Sequence, residues 1–588
     1  MSQTRSQLSD YFVPDRTLSI FKPRVLVIRH GACLFEMKRQ AVFVAGPMAL
    51  LAVAAWAQSS AVPDAGTILR DTQRALPGQP APNLPPAPAA TEKTRLPDDI
   101  VFQVQKFDIQ GVTLLPLAEV QAALRPWRGR DVVFADLETA MRELADLYQK
   151  RGWYATAQLP PQDLVDGVVR VQVSEAMFGG LRIDESGPLP ISRERIDRTF
   201  GQQHAAGEPL NLTRMNRAVA LLNDIPGVRA KAALDAGIQA LATDVLLAFE
   251  PRPAWSGSAS LDNQGSHATG AERINASFNL DNPSRFGDQA QANLMASEGV
   301  KYIRLVYSVP VGYAGLRLAV NASGLRYEVI KGQNASSQAK GTAQTRGLSL
   351  SQPLLRASEA NSNFSVSHNQ TDYFNQANGQ STSRKSGRIT ALTLSGDAYD
   401  TWQGGATNIW SVSTSFGDMA ELGAATKSQA KLNANIARLQ RVSESHNLWI
   451  SWTGQRAFKP LDNSEKFTLG GAQGIRAYSG AEGIGDHGWL LTLESRHNLR
   501  PDLQLSAFYD SGAVTVSQDP GVIKSETINR YKLSGVGLAV RYAHSSNTSV
   551  NLTWSQRLGE NPVPQRSGSD TDGTRVLNRF WVAVTSAF

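Results

Sequence analysis

From about residue 253 to the C-terminus the chain alternates apolar and polar residues in segments of roughly ten, punctuated by Gly, Asn, Asp and Ser. Ile303–Val309, Leu316–Val320, Leu490–Arg496 and Phe580–Phe588 are clear examples. In the last of these, Phe580, Val582, Val584, Ser586 and Phe588 share one face, and Arg579, Trp581, Ala583, Thr585 and Ala587 share the other. An apolar face backed by a wetter one, ending on an aromatic residue, is the pattern of an outer-membrane β-barrel strand. Backbone polar groups in a bilayer must be paired within the protein, so such a sheet has to close on itself. At some 20 residues per strand and connection, residues 253–588 predict about 16 antiparallel strands. A soluble all-β adhesin or β-helix would also alternate, but would not call for that terminal aromatic.

Residues 101–252 follow a different period and carry a weak internal repeat of about 75 residues. The first copy predicts a strand over Phe102–Ile109 ending at Gly111, then a helix with Phe134, Leu137, Met141, Leu144 and Tyr148 on one face. The second begins near Leu181 and repeats the spacing with Leu212, Met215, Val219 and Leu222, with Asn211 placed to cap the helix. Turns at Gly152–Trp153 and Pro226–Val228 lead to alternating strands, closing with Val169–Val173 and Val245–Phe249. Both copies predict a small β-α-α-β-β module, over 101–175 and 176–252.

Upstream, Ile68, Leu69, Thr72, Ala75 and Leu76 fall on one face of a short helix. Seven prolines between 77 and 97 then predict an extended tether, so 58–100 reads as a helix on a leash, able to enter a site and leave it, the alternative being a disordered mature N-terminus with no role. Residues 37–57 run from Met37-Lys38-Arg39 through an uncharged apolar stretch to Ala55-Trp56-Ala57, the layout of a secretory signal. The 36 preceding residues extend that signal or reflect an early start, Met37 being the more usual beginning. An uncleaved anchor is the alternative, though the run is short for a span.

Composition refines this picture. Seven basic and three acidic residues before position 58 account for +4 of the chain's +7, and no later stretch concentrates Lys and Arg among aromatics, which argues against nucleic acid. Cys33, the one cysteine, lies in the segment expected to be removed, leaving no disulfide, thiolate or cysteine metal site. The glycine-rich run from Gly470 to Gly480 lacks the Lys-Ser/Thr of a phosphate loop. His487 has no second histidine at ligand spacing, and no nucleophile elbow stands near plausible partners. Neither an enzymatic activity nor a cofactor is expected.

Two motifs remain: Gly474-Ile475-Arg476-Ala477-Tyr478, and Phe508-Tyr509-Asp510-Ser511-Gly512 on an alternating strand. Here the chain resembles the outer-membrane transporters of two-partner secretion, the haemolysin secretion/activation protein family of the barrel-assembly insertase superfamily. Gly485–Gly488, Leu493–Arg496 and, more weakly, Leu280–Asp288 match family patterns as well. The resemblance covers nearly all of the mature chain. It implies a plug helix (Ile68, Leu69, Thr72, Leu76), two polypeptide-transport-associated (POTRA) modules in the periplasm, and an outer-membrane barrel. The barrel's terminal strand (Phe580, Val582, Val584, Phe588) would serve as assembly signal. It also implies that the loop of Arg476 folds into the barrel and meets Asp510 on the wall, flanked by Phe508 and Gly512. The expected partner is a large exoprotein of haemolysin or adhesin type with an N-terminal secretion domain, besides outer-membrane lipid, periplasmic chaperones and the barrel-assembly machinery. The family usually has glycine where Ala477 stands, so a slightly different loop tip is expected. A barrel-assembly or insertase factor is the alternative, but would commonly carry more periplasmic modules and no leashed helix. A passive porin needs no such modules, and an adhesive surface protein leaves the arginine loop unexplained.

Overall fold

The computed structural model describes residues 63–75 and 101–588, except 164–165, 185, 239–241, 333–334, 520, 522–527 and 564–568. The signal segment with Met37, the proline-rich tether and Leu76 lie outside the described residues. The first helix, α1, spans Ala65–Ala75. Asp64 begins it, its carboxylate accepting from the Thr67 amide at 2.8 Å.

In the first module, strands β1 (Lys106–Gln110), β2 (Ala155–Gln158) and β3 (Val168–Glu175) form a sheet in the order β1-β3-β2. Helices α2 (Leu117–Leu124) and α3 (Phe134–Lys150) cover it. The single strand expected over Phe102–Ile109 is broken. Phe102–Gln103 pairs with Asp131–Val132, and only from Lys106 does the chain run parallel to β3. The amides of Gln105 and Lys106 both turn onto the Gly167 carbonyl, which drives Val104 fully into the core. Phe134, expected on the buried helix face, is 55% exposed, because Val132 and Leu137 fill the core at that end.

At the end of β3, Glu175 ties the module together. Its carboxylate accepts from the amides of Thr113 and Leu114, both at 2.9 Å, from the Thr113 hydroxyl, and from the hydroxyl of fully buried Tyr148 at 2.8 Å. Burial alone would raise its pKa, but these donors outweigh burial and hold it below the usual range. A carboxyl depressed in the fold stabilises it above the unfolded pKa, and that contribution is lost as pH falls through the folded value. Glu175→Gln should therefore destabilise this module by about 1–2 kcal/mol at neutral pH. It should also blunt the module's acid sensitivity below about pH 4. Hydrogen exchange at the β3 amides of the whole protein checks both effects.

The second module repeats the plan with β4 (Met177–Ile183), α4 (Arg193–Gly201), α5 (Leu212–Asn223), β5 (Ala230–Ala236) and β6 (Ala242–Phe249), its sheet ordered β4-β6-β5. Asn211 caps α5 through the Arg214 amide at 3.0 Å. Leu212, Met215 and Leu222 are buried, while Val219 is partly so.

The remainder is one closed antiparallel barrel of 16 strands. In order they are β7 (Trp255–Asp262), β8 (Arg273–Asp281), β9 (Gln289–Ala296), β10 (Val300–Val311), β11 (Leu316–Glu328), β12 (Lys340–Arg356), β13 (Ala360–Ala377) and β14 (Gln380–Asp400). Then follow β15 (Ala406–Glu421), β16 (Lys427–Arg441), β17 (His446–Ala457), β18 (His487–Arg500), β19 (Leu503–Thr515), β20 (Arg530–Ala543), β21 (Thr548–Arg557) and β22 (Asn578–Ala587). A tilted strand of about 9–11 residues spans a bilayer. The 21 residues of β14 therefore extend well past the membrane, and the excess forms a wall at one end.

The second module fixes which end that is. Arg195 donates to the Gly312 carbonyl at 2.9 Å, Asn282 to the Pro190 carbonyl at 2.7 Å, and Arg356 pairs with Asp224 at 2.7 Å. All three contacts lie at the short-turn end, so the long wall stands opposite the modules.

Closure is short. Only Ala583–Ala587 of β22 pairs with Ser258–Asp262 of β7. Phe588 prolongs it, exchanging backbone hydrogen bonds of 2.9 and 3.0 Å with Gly257. Its ring lies 5.9 Å from that of Trp255, and a side chain at Gly257 would strike it. Phe580, Val582, Val584 and Phe588 are 65%, 39%, 37% and 55% exposed on the outer face, whereas Trp581 is buried on the inner one. Deleting Phe588 removes both backbone bonds and the ring from a seam with few others. The heat-modifiable, folded fraction recovered in the membrane should fall severalfold on a cold gel, and normal assembly would show the terminal ring to be dispensable.

Candidate functional site: a charged clamp inside the barrel

The connection between β17 and β18, residues 458–486, folds inward. In the lumen its backbone groups need partners, and it supplies many itself. Phe467–Thr468 pairs with Ile484–Gly485 at its root. Higher up, the Leu469 carbonyl accepts from Ile475 at 2.7 Å, and that of Tyr478 from Gly471 at 3.1 Å. A Cβ on Gly474 would lie 2.0 Å from the Leu469 carbonyl oxygen, so the crossing requires glycine. Ile475, Ala477 and Tyr478 pack with Leu469, Leu490, Val514 and Leu533 in an apolar cluster that seats the loop.

Arg476 projects from this loop to the wall. Its Nε and Nη2 donate to the two Asp510 carboxylate oxygens, each at 2.9 Å, and its amide adds a third bond at 3.2 Å. Asp510 is fully buried and also accepts from the Thr492 hydroxyl at 3.0 Å. Nη1 reaches Glu494 at 2.9 Å, and Glu494 takes a second cation, Arg496, at 2.8 Å. The guanidinium carbon sits 3.3 Å from the centre of the Phe508 ring. Two arginines therefore face two carboxylates, with charge balanced in the wall.

The opposite side holds the main chain. The Arg476 carbonyl accepts from the Ser555 hydroxyl at 2.7 Å and from the Trp581 indole at 2.8 Å. One residue thus binds β18, β19, β21 and β22. The sheet makes this possible through its register: Thr492 stands opposite Asp510 and Glu494 opposite Phe508, and i, i+2 residues share a face. Gly512 leaves room for Leu469, whose Cδ2 would lie 2.4 Å from a Cβ there.

Ala477 is fully accommodated. It is not among the residues with positive φ, and its methyl fills space left by Gly535. The loop tip therefore needs no backbone freedom at this position.

Several partners escaped sequence reasoning. Glu494, Thr492 and Arg496 were readable as the inward i, i+2 set of a strand already recognised. A second network was not. Glu482 accepts from Asn561 at 2.7 Å and from the amide of Thr571 at 2.9 Å, joining this loop to residues 558–577. Arg557, stacked 4.7 Å from Tyr478, pairs with Asp570, and Arg579 pairs with Asp572 at 2.8 Å.

Helix α1 lies inside the long-walled end. Ala65, Ile68 and Leu69 are buried among Met295, Tyr302, Leu325 and Tyr327, and Thr72 is buried as well. The Ala65 amide donates to Asn375 at 2.8 Å. Arg70 donates to the Asn463 and Lys466 carbonyls at 2.7 and 3.2 Å, and Arg74 to those of Thr468 and Gln473 at 3.0 and 2.6 Å. All four acceptors belong to the loop that carries Arg476.

The sequence profile of the family described as haemolysin secretion/activation protein ShlB/FhaC/HecB matches residues 242–542, just over half of the chain. The chain belongs to this family. A ShlB-type POTRA domain matches residues 102–176. Among curated relatives, the heme/hemopexin transporter protein HuxB of Haemophilus influenzae is 26% identical over 461 residues, 75% of this chain and 81% of its own length. The hemolysin transporter protein ShlB of Serratia marcescens is 25% identical over 505 residues, 80% of this chain and 84% of its own. Among solved structures, CdiB from Escherichia coli superposes with a TM-score of 0.62 at 19% identity, covering 85% of this chain and 92% of that one. The family is one of transporters, and this member is an outer-membrane barrel of two-partner secretion with its POTRA end in the periplasm.

Proposed function

We propose that the chain exports one large exoprotein of haemolysin or adhesin type, received unfolded through an N-terminal secretion domain. Periplasmic chaperones would keep that passenger extended, and the barrel-assembly machinery would insert the pore into outer-membrane lipid. In this reading residues 1–57 are the signal, 58–100 the plug helix and its tether, 101–175 and 176–252 the receiving modules, and 253–588 the pore.

The observation that carries the reading is a lumen that holds two elements touching each other. One is a helix on a proline-rich leash, and the other is a loop clamped to the wall by Arg476. The sheet orders β1-β3-β2 and β4-β6-β5 leave outer strands to which an extended passenger strand could add, with side-chain pockets giving specificity. Withdrawal of α1 would then clear the path, while Arg476, Asp510 and Glu494 keep the loop in its working position. Passage requires no catalytic group, since the passenger's folding outside the cell supplies direction.

Deleting the gene tests the proposal. One dedicated exoprotein should vanish from the cell surface and medium while resident barrels stay at normal levels. General loss of resident barrels would instead mark an insertase.

A further inference from the structure

Inside the barrel, three lysines have carboxylate partners: Lys385 lies 2.7 Å from Asp462, Lys431 2.8 Å from Glu465, and Lys466 3.2 Å from Asp486. The outer face of β10–β14 is different. Alternation on β10 buries Val300 and Tyr302 and turns Lys301, Ile303 and Leu305 outward. Register then places Lys301 directly opposite Arg326, and sets Arg346 and Arg388 on either side of Gln370 in one row. All four cations are exposed, and none makes an ion pair or side-chain hydrogen bond with a described residue.

Their level on the barrel is defined. Below them, toward the modules, the same strands expose Ile303, Leu305, Val320, Leu348, Leu350 and Leu394. Above them lies the long wall opposite the modules. The four therefore sit where hydrocarbon gives way to headgroups on the extracellular side. Two acids share this face and a third stands beside it on β15. Glu328 stands opposite Lys340, Asp418 opposite Arg388, and Asp372 accepts from the Ser386 hydroxyl at 2.6 Å. With Lys340 and the exposed Arg384, six cations face these three acids.

Like charges directly opposite on neighbouring strands repel, so Lys301 beside Arg326 is unfavourable unless an anion lies between them. Arginine forks fit phosphate oxygens in pairs, and the acyl chains of a lipid would lie along the aliphatic residues below. We propose that the outer face of β10–β14 binds the phosphate-bearing headgroup of the outer-leaflet glycolipid, lipopolysaccharide. The proposal rests on the outer-membrane placement of the barrel and not on what it exports, so it survives if the export reading fails.

The test titrates the purified full-length protein in detergent with bisphosphoryl lipid A, fully dephosphorylated lipid A, phosphatidylglycerol or inorganic phosphate, with native mass spectrometry as readout. The wild type should bind bisphosphoryl lipid A at least about tenfold more tightly than any of the other three, with affinity falling steeply as salt rises. Combining Lys301→Gln, Arg326→Gln, Arg346→Gln and Arg388→Gln should remove that preference. Equal binding by wild type and variant would overturn the proposal, as would equal wild-type affinity for phosphatidylglycerol or free phosphate. Should the fourfold variant fail to assemble, Arg346→Gln with Arg388→Gln takes its place, and wild-type indifference to the lipid A phosphates still refutes the assignment.

Discussion

Arg476→Ala should reduce export to background, at least a hundredfold below wild type, while the barrel still assembles and stays heat-modifiable. The substitution removes both side-chain bonds to the Asp510 carboxylate, one bond to Glu494 and the stack on Phe508, yet leaves the backbone amide bond and every strand pairing intact. Two unit charges about 4 Å apart attract by roughly 4 kcal/mol at an effective dielectric near 20, before desolvation is set against it. The larger consequence is the stranded partner. A fully buried carboxylate deprived of its cation costs about 3–5 kcal/mol, and that cost falls on the seated loop and not on the closed sheet. Arg476→Lys should fail nearly as badly, because an ammonium cannot bond two carboxylates and cover a ring together. Asp510→Asn should be milder, since the Thr492 and Arg476 donors keep an amide oxygen to bind. Secretion assays on cells with matched barrel levels decide the matter, and full secretion by Arg476→Ala would remove the loop from the mechanism.

Much of this architecture was open to a reader of the sequence because a barrel strand has the simplest period there is. Alternation separated Phe580, Val582 and Val584 from Arg579 and Trp581, and a chain-length estimate reached the 16 strands of the closed sheet. The contact between Arg476 and Asp510 came from a family resemblance, since their separation along the chain carries no period. Glu494 could have joined them by alternation alone. Other partners could not. The Arg476 carbonyl that receives Ser555 and Trp581 exists at every residue, so nothing in the sequence marks it. Glu482 and Thr571 meet through two irregular loops, where no repeat constrains which side chains converge. Phe134 and the broken first strand failed for a different reason: module cores are small, and one buried neighbour, Val104 or Val132, redirects the chain ends beside it. Ala477 shows the reverse effect, in which a departure from the family's glycine is absorbed by an absent side chain at Gly535.

Removing residues 63–76 should clear the helix from the lumen and raise conductance across planar bilayers several-fold. A milder change separates the two forces that hold the helix. Arg70→Ala with Arg74→Ala leaves Ala65, Ile68 and Leu69 on their apolar seat but removes four hydrogen bonds to carbonyls of the inner loop. Hydrogen bonds from charged donors contribute about 1.5–3 kcal/mol each when well made. Even about 3 kcal/mol lost in total would raise the ratio of open to closed barrels more than a hundredfold. The double variant should therefore flicker between closed and open levels, whereas the deletion stays open. Because the same arginines grip the loop that carries Arg476, the flicker should have a second signature. With the helix loosened, the amides of residues 463–473 should exchange hydrogen faster, and those of Ile475–Tyr478, held by the wall clamp, should not. Protection lost throughout the loop would mean that the helix, and not Asp510, keeps it seated. Unchanged conductance in the deletion would end the plug assignment outright.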